Sequence, residues 1–121
     1  MSKSRNVKKF NKIIDNFLSE LHTILPDEKD IVIFQSQLSV ATMLNEKKIL
    51  NSFVEFVNPY KNHILEKNED FFMNDNIDVD KDYLSDSIHL KELWKTKLSD
   101  ENKEVVWKYF QVMVLLSEKC V

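Results

Sequence analysis

Apolar positions recur along most of this chain at intervals of three and four, the spacing that lines one face of an α-helix. The clearest run is Val7, Phe10, Ile14, Phe17, Leu18, Leu21 and Leu25, with Lys8, Lys12, Asp15 and Glu20 falling largely between them. Pro26 stops that helix, because it has no amide donor and restricts the residue before it. The acids between Asp27 and Asp30 mark the start of the next helix. Ile31-Val32-Ile33-Phe34 reads locally as a strand, but a lone strand has no partner here. Phe34, Leu38, Ala41 and Asn45 keep a helical period, as do Ile33, Gln37, Val40 and Leu44, so the segment is expected to be helical.

Asn45 is the next boundary, and Ile49, Leu50, Phe53, Val54 and Val57 form a third apolar face. Asn58-Pro59 reads as an N-cap followed by proline at the first helical position, opening a short helix to about Lys67 with Tyr60 and Ile64 inward. From Asn68 to Ser87 the period breaks, and a fifth helix is expected over 85–97, placing Ile88, Leu90, Leu93 and Trp94 against the core. Ser99, followed by Asp100 and Glu101, signals a final helix to about Lys119. Its middle, Val105 to Leu116, is apolar nearly all round, which is the pattern of a helix covered on most sides. The pattern therefore predicts an all-α fold, a compact bundle of five to six helices around a buried C-terminal helix. With 121 residues, one domain is expected over 1–121.

Composition reinforces the helical reading. The chain has no glycine and only two prolines, so tight hairpin turns would need Asn or Asp at every positive φ. Gly-rich phosphate loops are excluded outright. Asn45, Asn58, Asn68 and Asn74 fall at expected helix ends, where asparagine is the next-best residue for a left-handed position. The single cysteine, Cys120, excludes an intramolecular disulfide. There is no apolar leader, and the longest apolar run is far short of a membrane span. A cytoplasmic or nuclear protein is expected.

Charge is unevenly spread. Eight acids between Glu66 and Asp86 face only Lys67 and Lys81, a local balance of −6, so with −3 overall the remainder is +3. Asp78, Asp80 and Asp82 match the first ligand positions of an EF-hand loop, but position six is Tyr83 and position twelve His89, where glycine and glutamate are needed. The loop at 68–86 reads as a solvated acidic segment. His22, His63 and His89 lie on separate elements with no ligand spacing, and Cys120 lacks the cationic setting that activates a thiol. No catalytic, cofactor or metal site is expected.

Two candidate surfaces remain. Phe71, Phe72 and Met73 sit as an apolar triplet in acidic surroundings, either a clasp folded onto the core or an anchor for a partner. Trp94 and Trp107 are both expected in the core, with Trp94 the more apt of the two to reach the surface. Lys3, Arg5, Lys8, Lys9 and Lys12 form a basic cluster with no acid before Asp15, suited to phosphate contacts. Sixteen of the seventeen basic residues are lysine, which leaves bidentate arginine contacts nearly absent.

Several stretches in order carry a resemblance: Phe53-Val54-Glu55-Phe56-Val57-Asn58-Pro59-Tyr60-Lys61, Lys67-Asn68-Glu69-Asp70-Phe71-Phe72, Leu93-Trp94-Lys95, Leu98-Ser99-Asp100-Glu101-Asn102-Lys103, Trp107-Lys108-Tyr109-Phe110-Gln111 and Leu115-Leu116-Ser117-Glu118-Lys119. The series resembles a set of small uncharacterised proteins encoded by nucleocytoplasmic large DNA viruses, of the mimivirus and phycodnavirus kind, over roughly residues 10–119. The resemblance implies a viral origin and a helical fold and carries no catalytic residues. The expectation is a non-enzymatic protein-interaction or structural module. It would act as a virion component or a replication-stage adaptor in the host cytoplasm or nucleus, with a protein partner or a second copy of itself. The alternative is a nucleic-acid-associated protein using the basic first helix.

Overall fold

The structure, a computed structural model, describes the backbone of residues 2–73 and 90–120, and the side chains of 5–71, 73 and 91–120. Over these residues the protein is an all-α bundle: α1 (Ser2–Ile24), α2 (Lys29–Leu44), α3 (Lys48–Val57), a 3₁₀ turn (Asn58–Tyr60), α4 (Lys61–Leu65), α5 (Asp70–Met73), α6 (Leu90–Thr96) and α7 (Asp100–Glu118). No strand occurs among them, and Ile31–Phe34 is helical. The acidic stretch 74–86, its Asp78, Asp80 and Asp82, the expected helix start at Ser85 with Ile88, and Asn74 and His89 lie outside the described residues. So do the side chains of Lys3, Phe72 and Leu90.

The first and last helices form the central pair. Asn6 Nδ2 donates to the Lys119 carbonyl at 3.4 Å, and Tyr109 Oη donates to Glu20 Oε2 at 2.6 Å, so α1 and α7 run antiparallel. Val7, Phe10, Ile14, Phe17, Leu18 and Leu21 are all buried on α1, as the periodicity demands. On α7, Val106, Trp107, Phe110, Met113 and Val114 turn inward. Ser99 caps this helix, its Oγ accepting from the Asn102 amide at 3.1 Å, with Asp100 and Glu101 complementing the positive end of the dipole.

The other elements wrap this pair. Helix α2 packs back along α1, pinned where Gln35 Nε2 donates to Asp15 Oδ1 and Ser19 Oγ, both at 2.8 Å. Helix α3 lays Ile49, Leu50, Phe53 and Val57 into the core. Helix α4 docks on α7, where Gln111 Nε2 donates to the Ile64 and Leu65 carbonyls at 3.2 and 3.1 Å, satisfying acceptors that a helix end leaves open. Trp94 of α6 meets Trp107 edge-on at 5.1 Å, and Lys97 pairs with Glu28 to tie the end of α6 to the α1–α2 turn. One continuous cluster of buried side chains joins α1, α2, α3, α4, α5, α6 and α7.

Four expectations need correction. Asn58 does not cap a new helix: it is helical itself, at φ −52° and ψ −45°, and carries α3 straight into the 3₁₀ turn. Nor do Asn45 and Asn58 take left-handed conformations. Asn45 is extended at φ −150°, and its Oδ1 accepts from the Lys47 amide at 3.1 Å. Asn68 likewise accepts at Oδ1 from the Asp70 amide at 3.0 Å, starting α5. Asparagine serves here through its side-chain acceptor. Third, Trp94 and Trp107 are both buried, as expected of core residues, but Trp94 does not reach the surface. Fourth, α7 is not covered all round. Lys108, Val112 and Leu115 face solvent and Val105 is half-buried, because α1, α3 and α4 embrace only part of its circumference.

Among the described residues, Lys67 is left-handed, at φ 55°. It follows α4, and the Asn68 amide donates to the His63 carbonyl at 2.8 Å while the Lys67 amide donates to the Ile64 carbonyl at 3.2 Å. That is the double bond of a Schellman ending, with lysine where glycine usually stands. Relief of left-handed strain, about 1–2 kcal/mol, outweighs the extra freedom glycine gives the unfolded chain, about 0.4–1 kcal/mol. Lys67→Gly should therefore raise unfolding free energy by roughly 0.5–1 kcal/mol. Denaturant melts in a Glu104→Gln background isolate this effect, since the Lys67–Glu104 ion pair is then absent from both proteins. A less stable glycine variant would contradict the left-handed assignment.

Candidate protein-interaction surfaces

The apolar triplet divides. Phe71 is buried, its ring 6.0 Å from both Phe110 and Tyr60 and 5.9 Å from Phe56, so it is a clasp closing α5 over the core. Met73, beside it, is exposed. Trp94 lies under the cluster against Trp107, with Lys103 Nζ 5.3 Å from its ring centroid. In this conformation neither Phe71 nor Trp94 presents a ring to a partner. Exposed apolar surface sits elsewhere, in two places the periodicity did not single out.

The first is α2. Apolar residues that fall on more than one side of a helix are normally covered on more than one side, yet α2 packs chiefly on α1 and α3. Ile31, Phe34 and Leu38 are buried, whereas Ile33 and Val40 are more than half exposed, and Met43 and Leu44 are 86% and 84% exposed. Ile33, Ser36, Gln37, Val40, Met43 and Leu44 fall on one stripe by helical spacing. No charged residue occurs from Ile31 to Asn45. Solvent-facing helix surfaces ordinarily carry charges that keep them apart from one another. This one carries none.

The second is a groove between α1 and α7. Ile13, Val112, Leu115 and Leu116 form its floor, and Arg5, Lys8, Lys9, Lys12 and Lys119 its rim, enclosing about 540 Å³. Val112 and Leu115 are 45% and 51% exposed. A continuation shares Ile13 and Val112 and runs on past Val105, Lys108 and Tyr109 to Glu20. Four of the five lysines and arginines expected to touch nucleic acid thus line one bank of an apolar trough; the side chain of the fifth, Lys3, is not described.

A small cavity of about 130 Å³ between α1, α2 and α3 gathers one acid, Asp15, already bonded to Gln35. No group of three His, Cys, Asp or Glu is placed to hold a metal ion among the described residues. His22 lies near the end of α1, and His63 packs its ring against Tyr60 at 6.0 Å. Burial pushes the Cys120 thiol up from its ordinary value, away from the reactive thiolate. No helix among the described residues is long and apolar enough to cross a membrane. No family model matches the chain, and no curated protein or solved structure matches it.

The far end of the groove has one strongly shifted group. Burial, and then the hydrogen bond to Glu20, push the Tyr109 hydroxyl up to about 12 from 10.0. The folded pKa is raised, so this contribution to stability is complete below pH 10 and is lost as pH rises through about 12. An ultraviolet titration of the native protein should show one tyrosine ionising late, and Tyr109→Phe should remove that phase. If every tyrosine titrates together while the protein is still folded, the Tyr109–Glu20 bond is not made in solution.

Proposed function

We propose that this protein is a non-enzymatic interaction module and that α2 is the face through which it joins another subunit. A second copy of this chain is the partner that face suits best. The carrying observation is the uncharged, apolar stripe of α2, with Ile33, Val40, Met43 and Leu44 in solvent. In a two-fold pair each patch meets its own image, so a patch carrying charges of one sign would face like charge. An uncharged patch escapes that penalty. Exposed apolar residues clustered in this way are the ordinary mark of a binding surface.

The exposed apolar residues of α2 and of the α1–α7 groove favour an interaction reading. The resemblance to proteins of large DNA viruses supplies a setting: a component of a virion, or an adaptor in a replication complex of the host cytoplasm or nucleus. The basic N-terminal helix keeps a second reading, nucleic-acid association, favoured by the exposed run of Arg5, Lys8, Lys9 and Lys12.

Sedimentation velocity over a concentration series tests the α2 reading. Wild-type mass should climb from 14.4 kDa towards twice that value, while Val40→Asp/Met43→Asp stays monomeric with unchanged helicity. Both sites are exposed, and substitutions at such positions shift stability by only about 0.5 kcal/mol. A wild type that remains monomeric at every concentration overturns self-association through α2.

A further inference from the structure

We propose that the groove between α1 and α7 is the docking site for an acidic amphipathic helix of a partner protein. This is a second surface, independent of α2, and its chemistry names its occupant. The floor is aliphatic: Ile13, Val112, Leu115 and Leu116. Both banks are cationic, with Arg5, Lys8, Lys9 and Lys12 on α1, Lys108 on α7 and Lys119 at its C-cap. Among the described residues none of these six is in an ion pair. The acid at the groove's far end, Glu20, already accepts from Tyr109.

Length fits as well. From Arg5 to Glu20 the trough follows α1 for roughly 20 Å at about 1.5 Å per residue, which is about four turns of a docked helix. A helix in a groove presents apolar anchors at i, i+3, i+4 and i+7. Its flanks then lie over the two banks, where glutamate and aspartate meet lysine. Because the cations stand on both sides, the favoured occupant is acidic on both flanks.

The floor argues against nucleic acid as the natural ligand. Single strands are held by bases stacked on aromatic rings, and duplexes by phosphate contacts to an exposed basic face. Here the exposed floor is aliphatic, and burying it against phosphate would gain nothing. Like charge also keeps a second copy of the same groove away, in contrast with α2.

A fluorescent 18-residue peptide tests the site, built with leucine on one face and glutamate on both flanks. Its fluorescence anisotropy is read with the full chain. Wild type should bind it, and raising salt should weaken binding without abolishing it, since only the rim contribution is screened. Val112→Asp/Leu115→Asp should lose about tenfold or more in affinity, as should Lys8→Glu/Lys12→Glu. Val40→Asp/Met43→Asp on α2 should bind like wild type, so this surface and the dimer surface succeed or fail separately.

The scrambled peptide, with the same composition and no apolar face, should bind at least about tenfold more weakly. Equal binding of the two peptides would reduce the groove to a plain cationic patch and overturn the proposal. So would preference for a 20-base-pair duplex or for phosphatidylserine vesicles, if Val112→Asp/Leu115→Asp leaves that binding unchanged. Retained circular dichroism in each variant separates lost docking from lost folding.

Discussion

The ring of Phe110 ties α1, α3 and α5 to α7. It stands 5.8 Å from Phe17 of α1, 6.4 Å from Phe53 of α3 and 6.0 Å from Phe71 of α5, while Phe53 reaches on to Phe10 at 5.2 Å. Edge and tilted contacts of this kind add about 0.5–1.5 kcal/mol per pair beyond the area they bury. Deleting such a ring costs about 3–5 kcal/mol, against a total stability of about 5–15 kcal/mol for an ordinary domain. Four helices distant in sequence thus share one aromatic joint, and each fixes the position of the others. The acidic α5 segment is part of this joint through Phe71, which explains an apolar residue beside Glu69 and Asp70.

With the core committed to that joint, the bundle has more apolar helical surface than its own interior absorbs. Two remainders result, and they differ in electrostatics. The α2 stripe is neutral over fifteen residues, from Ile31 to Asn45. The α1–α7 trough is lined with lysine. A neutral face tolerates its own copy, whereas a cationic one selects an opposite charge. The two exposed surfaces therefore differ in the chemistry they present to solvent.

Much of the architecture was legible in the sequence. Val7 through Leu21 declared both a helix and its buried face, and Ser99-Asp100-Glu101 declared the start of α7, because caps and periodicity are local properties. The exposure of Val112 and Leu115 was not legible, since periodicity says which residues are apolar but not how many neighbours arrive to cover them. Trp94 illustrates the same limit: its burial depends on Trp107, thirteen residues on, and on Lys103 above its ring. Asn45 and Asn68 were placed correctly at boundaries but for a different use, accepting hydrogen bonds while Lys67 took the left-handed turn. The basic cluster was legible in the sequence and the apolar residues beside it were not, because Ile13 and Val112 meet only across the fold. The unbroken neutrality of α2 was a signal present in the sequence all along.

The pairing of the first helix with the last also has a consequence for how the molecule is made. Phe17 and Phe110 are separated by most of the chain, and a ribosome adding about 5–20 residues per second needs roughly 5–20 s to pass from one to the other. Throughout that interval the apolar face of α1 is without its principal partner. Helices α2 and α3, which emerge next and pack against α1, are the elements available to shelter it. The local contacts are then a temporary roof during synthesis, and the arrival of α7 converts that open assembly into the closed bundle.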